Sequence, residues 1–149
     1  MNGPHIDIEA LREALGDRLF ARGEAYFADG RVEIVGVDGD VVVAHVKGEE
    51  VYAVEFAGGV ADSRCSCPAF EDWGLCKHLA AVALTARDLD AGRVQAARHR
   101  LARLREGLEI EDKDGLVELL VRLARRHPAV LRALEQDEAR PRPQEGARR

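Results

Sequence analysis

The sequence CSCP at residues 65–68 and the sequence CKH at residues 76–78 decide the fold of this chain. Together they contain all three cysteines of the protein, and a histidine lies two places after the last of them. Thiolates and an imidazole are the ligands that a tetrahedral zinc ion takes in proteins. The pattern therefore predicts a metal site whose four ligands are Cys65, Cys67, Cys76 and His78.

The spacing within each pair restricts the local structure. Cys65 and Cys67 are two residues apart, so on an extended strand both sulfurs point to the same face. Pro68 should end that strand, because it has no N–H to donate to a neighbouring strand. Cys76 and His78 would lie roughly 200° apart around a helix axis. They can share one metal only if Cys76 lies at or before the first helical turn.

Other uses of three cysteines fit this segment less well. Cysteines that serve only as small buried hydrophobes rarely fall together in one ligand-spaced cluster. A disulfide would leave one cysteine unpaired, and no secretory signal is recognisable ahead of them. A cysteine protease would need a third group to orient the base, and none is evident near Cys76 and His78. A redox dithiol would favour C-x-x-C in a βαβ unit.

The segment resembles the SWIM zinc finger, whose pattern is C-x-C-x(n)-C-x-H, and the likeness continues through residues 79–82. The resemblance covers roughly residues 15–87 and includes all four ligand positions. Upstream, four short segments are similar to what precedes the finger in bacterial members: Arg22-Gly23, Tyr26-Phe27, Gly30-Arg31-Val32 and Tyr52-Ala53-Val54.

Such a resemblance implies a zinc-stabilised binding module and not an enzyme. Members of the family are linked to DNA binding or to protein–protein contact, often in association with Snf-type helicases, and they also occur in Mutator-class transposases and plant transcription factors. The expected partner is therefore nucleic acid or another protein, with a helicase-type ATPase as one candidate. Four protein ligands leave no open position for water, which is typical of a structural zinc. No catalytic residue and no small-molecule substrate are predicted.

A redox or electron-transfer protein with an iron–sulfur cluster is the alternative from a different class. CDGSH-type proteins also use three cysteines and one histidine, with a similar C-x-C and a comparable gap. Their histidine lies four residues after the third cysteine, whereas His78 lies two residues after Cys76. Visible absorbance of the purified protein would support this alternative, and a colourless zinc protein would support the finger.

Net charge and hydropathy restrict the partners and the cellular compartment expected for this chain. The net charge is −5 and the sequence pI is about 5.6, which argues against indiscriminate coating of nucleic acid, because such binding depends on neutralising phosphates. No stretch approaches the ~20 apolar residues of a membrane span. Clustered thiols without a secretory signal favour a reducing compartment, so a cytoplasmic location is expected.

The periodicity of apolar residues predicts an α+β fold. Asp7 is a plausible N-cap of a helix whose apolar residues run to Phe20, and a period of two begins at Val32. Asp38-Gly39 indicates a hairpin. Two further turns, at residues 48–50 and 58–59, lead into a fourth strand over residues 60–67, which delivers the first two cysteines. The result is a small antiparallel β-meander, a zinc-closed loop and a covering helix after Cys76.

The predicted organisation has three parts. Residues 1–90 form the SWIM-type finger with its N-terminal helix and β-meander, and residues 91–138 form a helical appendage. The helix after Cys76 should cover the sheet through four apolar positions, which are Leu79, Val82, Ala83 and Ala86. The tail over residues 139–149 has no apolar periodicity and is predicted to be disordered.

Three residues near the metal form a partner-binding hypothesis. Phe70 and Trp73 lie between the ligand pairs, where they either cap the metal or anchor a partner, since tryptophan is enriched in hot spots. Lys77 either offsets the single negative charge of zinc with three thiolates or is simply solvated. The arginines between residues 87 and 105 similarly form either an electrostatic face or an ordinary solvated helix surface.

Overall fold

The computed structural model describes residues 4–138, so the predicted disordered tail at residues 139–149 lies outside the described residues. The described part is a mixed fold with a four-stranded antiparallel sheet, as predicted. Its elements in chain order are α1 (Ile8–Leu15), α2 (Asp17–Ala28), β1 (Val32–Asp38), β2 (Val41–Lys47), β3 (Val51–Phe56), β4 (Arg64–Cys65), α3 (Pro68–Trp73), α4 (Lys77–Arg87), α5 (Ala91–Glu109), α6 (Lys113–Arg126) and α7 (Pro128–Glu138).

The first helical segment begins as predicted but is divided in two. The Asp7 carboxylate accepts a hydrogen bond from the Ala10 amide at 3.0 Å and caps α1, because the first amides of a helix have no partner within it. Gly16 then has φ of 82° and ψ of 155°, which is not helical. The chain therefore turns between α1 and α2, and each helix packs separately onto the core.

The sheet is a meander in the order β1-β2-β3-β4, with every neighbouring pair antiparallel. The predicted hairpin at Asp38-Gly39 is present, and Gly39 has the positive φ of 59° that such a turn requires. The predicted fourth strand is shorter than expected: residues 60–67 were expected to be extended, but only Arg64–Cys65 pair with β3.

Ser63 explains the short fourth strand. Its buried hydroxyl accepts a hydrogen bond from the Ala57 amide at 3.0 Å and donates one to the carbonyl of Gly59. These bonds close residues 57–63 into a compact loop, so this segment cannot run alongside β3. The first cysteine pair nevertheless reaches the sheet edge, because Cys65 pairs with Val54.

The covering helix lies where the sequence predicted it. All four predicted core positions of α4 are buried, with exposed fractions of 5% or less. The facing side of the sheet contributes Val42, Ala44 and Val46 from β2 and Val54 and Phe56 from β3, and these residues share one buried cluster with α4. A sheet this small requires such a cover, because three or four short strands bury little apolar surface alone.

The chain divides into two compact units, the first of which runs to Arg105. The sequence predicted the finger to end at residue 90, but the first part of α5 belongs to the same unit. Val94 and Ala97 are buried, and a side-chain carbon at Gly36 would collide with Leu101. Arg100 also forms an ion pair with Glu33 at 3.3 Å. The apolar pattern of α5 showed a buried face without showing what it packs against.

This packing leads to a prediction about truncation. A chain that ends at Arg105 should keep its zinc and its melting temperature, because it retains the whole first unit. A chain that ends at Asp90 should keep its zinc ligands but lose about 3 kcal/mol of stability, because it exposes the surfaces that Val94, Ala97 and Leu101 cover. Zinc content and thermal unfolding of the two truncated chains test this, and equal stability would contradict it.

The second unit begins at Glu106 and consists, in its described part, of the end of α5 with α6 and α7. Asp112 caps α6 by accepting a hydrogen bond from the Gly115 amide at 2.7 Å. His127 ends α6 in an extended conformation and Pro128 begins α7. Within residues 4–138, no helix is long and apolar enough to cross a membrane.

Candidate metal centre

The first two cysteines reach the cluster through the sheet edge and a short helix. Cys65 ends β4, and Cys67 has an extended backbone with φ of −75° and ψ of 154°. Pro68 does not end the strand as predicted, because β4 already ends at Cys65. It occupies the first turn of α3, where its fixed φ suits a helix and its missing N–H costs nothing. The Cys67 sulfur accepts a weak hydrogen bond from the Phe70 amide at 3.4 Å and thereby caps α3.

The second pair comes from the start of α4. Gly74 ends α3 in the left-handed conformation with φ of 68°, a backbone region that glycine enters without strain. Cys76 is then extended, with φ of −157° and ψ of 161°, and is the N-cap of α4. This confirms the prediction that Cys76 precedes the helix. His78 lies one residue inside α4, so the two side chains can turn toward the same point.

The four predicted ligands are buried together. One ligand atom from each of Cys65, Cys67, Cys76 and His78 lies within 4.8 Å of all the others. The Cys65 Sγ and the His78 Nδ1 are 3.6 Å apart. Tetrahedral zinc with Zn–S near 2.3 Å and Zn–N near 2.0 Å would hold these two atoms about 3.5 Å apart. The donors therefore fit a closed, four-coordinate zinc.

The three thiols of the cluster change one another's pKa values. The hydrogen bond from Cys65 lowers the pKa of the Cys76 thiol, and the neighbouring His78 acts in the same direction. The same bond to Cys76, together with burial, raises the pKa of Cys65. Burial is the main cause that raises the pKa of Cys67. A divalent cation supplies the positive charge that three buried thiolates need.

The histidine of the cluster lies beside the rings of both tyrosines of the protein. The ring of His78 is 5.0 Å from that of Tyr52 and 5.5 Å from that of Tyr26, measured between ring centroids. The His78 Nε2 atom is buried and has no hydrogen-bond partner among the described residues. These two tyrosines were not predicted as part of the site. Their only signal was that both lie in the upstream segments that carry the family resemblance.

The three predicted partner-binding residues have different surroundings. Phe70 is half-buried and packs against the core. Trp73, at the end of α3, is 79% exposed. An indole that exposed does not shield a metal from water, so the capping role considered for it does not hold. The Lys77 ammonium lies 4.6 Å from the centroid of the Tyr26 ring, a favourable cation–π contact.

Comparison with known proteins agrees with the geometry. Residues 41–87 match the SWIM zinc finger family, so this segment of the chain is a SWIM zinc finger. The match runs from β2 through α4 and includes all four clustered residues. Of the four upstream segments of the resemblance, it includes Tyr52-Ala53-Val54 but not the three between residues 22 and 32, and it does not address a bacterial origin. No curated protein and no solved structure matches the chain.

The family and the cluster together define the chemistry of the site. Zinc is the cofactor, because the matched family is a zinc finger and the buried donor set is one that zinc prefers. SWIM zinc fingers are small interaction modules and are not typically catalytic. The iron–sulfur alternative has no support from the match, which is to a zinc-binding family.

Proposed function

We propose that this protein is a zinc-stabilised module that binds another protein, with one structural zinc held by Cys65, Cys67, Cys76 and His78. The observation that carries the proposal is the position of Trp73. It is a large aromatic residue, 79% exposed, on a helix that is held at one end by Cys67 and followed closely by Cys76. Exposed aromatic residues on rigid elements are the usual anchors of protein interfaces.

The rigidity of α3 favours binding. Its N-terminus is capped by the Cys67 sulfur, and Phe70 on the same helix packs into the core. Ordering a surface costs free energy on association, and a surface that is already ordered avoids that cost. A partner that receives Trp73 would therefore gain the burial of the indole without first having to order α3.

The charges near Trp73 favour protein over nucleic acid as the partner. Glu71 and Asp72 come directly before it and are both exposed, so a phosphate backbone would be repelled there. A protein with a basic or apolar cleft suits this surface. The helicase-type ATPase suggested by the family resemblance is the first partner to test.

The arginines of α5 support nucleic-acid binding less than their number suggests. Arg93 faces Asp90 at 3.9 Å, and Arg100 pairs with Glu33 at 3.3 Å. Just upstream, Arg87 pairs with Asp88 at 3.2 Å. Each pair reduces the charge available to phosphates, although exposed pairs of this kind add little stability. A DNA shift assay at several salt concentrations tests this second candidate, since phosphate binding must weaken steeply with salt.

Trp73→Ala tests the proposed surface. We expect it to weaken binding to the partner by about 2 kcal/mol, the usual threshold of a hot spot. Zinc content and melting temperature should not change, because the indole is exposed. The partner is first captured from native extract after nuclease treatment, and affinity is then measured by calorimetry with the purified partner.

Phe70→Ala is the matched control on the same helix. It should lower the melting temperature, because Phe70 packs against the core. If Trp73→Ala lowers stability and leaves affinity per folded molecule unchanged, α3 is not the contact surface. Capture that disappears on nuclease treatment would instead favour nucleic acid.

A further inference from the structure

Helix α6 has two apolar stripes, and within the described residues only one of them is partly covered. Leu116, Leu119 and Leu123 are half-buried, and α7 is the helix that packs on α6 within the second unit. Val117, Leu120 and Val121 are 48%, 43% and 50% exposed. Residues three and four apart share a helix face, so these three form a second stripe, which we call the outer stripe of α6.

An uncovered outer stripe is unusual for a stable helical hairpin. No residue of α6 is buried, and short helices are only marginally stable in water unless an apolar face is packed. Contiguous exposed apolar surface of this kind commonly marks an interaction site. The hairpin of α6 and α7 therefore gains stability if a further helix covers the outer stripe.

The charges along α6 indicate what that helix is. The first half is acidic, with Asp114 and Glu118 preceded by the cap residue Asp112, and Lys113 is its single basic residue. The second half is basic and contains Arg122, Arg125 and Arg126. A parallel copy of α6 would place like charges side by side. An antiparallel copy places the acidic half of each helix against the basic half of the other.

We propose that two copies of this chain associate through the outer stripe, with their α6 helices antiparallel about a two-fold axis. Such an interface is isologous, since the same surface serves both copies, and with α7 it forms a four-helix arrangement. The proposal goes beyond the function proposed for the finger and does not depend on it. A dimer presents two zinc fingers at once, so a partner with two sites would be bound with increased avidity.

Sedimentation equilibrium of the full zinc-loaded chain tests the proposal. The wild-type protein should be a dimer at micromolar concentrations, and Val121→Glu should be a monomer with unchanged zinc content and helical circular dichroism. Val51→Glu is the matched control: Val51 is 65% exposed on β3, so its loss should leave the dimer intact. A wild-type chain that is monomeric up to hundreds of micromolar overturns the proposal, whatever else covers the stripe.

Charge reversal tests the antiparallel arrangement separately. Arg125→Glu with Arg126→Glu should raise the dimer dissociation constant at least about tenfold, because acidic residues then face the acidic half of the other copy. Adding Asp114→Arg and Glu118→Arg to the same chain should restore dimerisation, since the two halves again carry opposite charges. A dimer that is insensitive to the first pair, or is not rescued by the second, contradicts the antiparallel arrangement.

Discussion

Cys67→Ser is expected to reduce zinc from one ion per chain to a small fraction and to destabilise the first unit. A structural zinc contributes its binding free energy to folding. Zinc present at a thousandfold excess over its Kd stabilises the folded state by about 4.1 kcal/mol. For a domain of about 100 residues, that corresponds to a decrease in melting temperature of roughly 16 °C or more.

This substitution is a clean test because serine preserves the second role of Cys67. The Cys67 sulfur caps α3 through the Phe70 amide, and a serine hydroxyl is a favourable N-cap. The loss therefore reports on the metal and not on the helix.

Ser66→Ala, at the neighbouring position, serves as the control for Cys67→Ser. It removes one exposed hydrogen bond, from the Ala53 amide, and leaves all four donors in place. Zinc content by elemental analysis and thermal unfolding with and without chelator are the measurements. If Cys67→Ser retains a full equivalent of zinc and an unchanged melting temperature, Cys67 is not a ligand.

Visible colour in the wild-type protein would instead support the iron–sulfur alternative.

Gly23→Ala is the second prediction with a large effect, and it acts on zinc from outside the cluster. Gly23 lies in α2 where this helix meets the first turns of α4. An added Cβ would lie 2.5 Å from the Ala80 Cβ and 2.6 Å from the Lys77 carbonyl oxygen. The carbonyl belongs to the backbone, so the two helices must separate. Overpacking of this kind costs about 1–3 kcal/mol, more than the gain in helix propensity from glycine to alanine, which is at most about 1 kcal/mol.

The displacement should also reach the metal, because Lys77 stands between Cys76 and His78. We expect zinc affinity to fall about tenfold, the lower range for changes next to the ligands. Gly107→Ala is the matched control, since that helical glycine has open space around its Cα and should gain slightly in stability. Competition with a chelator measures zinc affinity in both variants. If Gly23→Ala is as stable as Gly107→Ala and binds zinc equally well, the close contact of α2 and α4 does not position the ligands.

Several features of this protein could be predicted from sequence because their signals are local. The four clustered residues were identified from spacing and donor chemistry. The predictions of a hairpin at Asp38-Gly39 and of a helix cap at Asp7 were correct, because each feature depends on a few neighbouring residues. The burial of α4 also follows from its own periodicity, since a helix with that many apolar residues must be packed.

Other features depended on residues far apart in sequence. Ser63 shortens the fourth strand through bonds to Ala57 and Gly59, although the sequence predicted a strand over the whole of residues 60–67. The boundary at residue 90 was placed where the pattern of the finger ends, but Leu101 packs against Gly36 in β1. These two residues are far apart in the sequence, so no short stretch contains both of them.

The sequence by itself determined that the chain has a zinc site, which residues can supply its donors and that a helix must cover the sheet, because donor spacing and apolar periodicity act within a few residues. Only the tertiary structure decided that Tyr26 and Tyr52 lie beside His78, that Gly23 brings α2 against α4 and that Trp73 is left exposed. These depend on how α2, β3 and α4 pack together. Side-chain contacts between separate elements are set by the shape and volume of the assembled core, which no local pattern specifies.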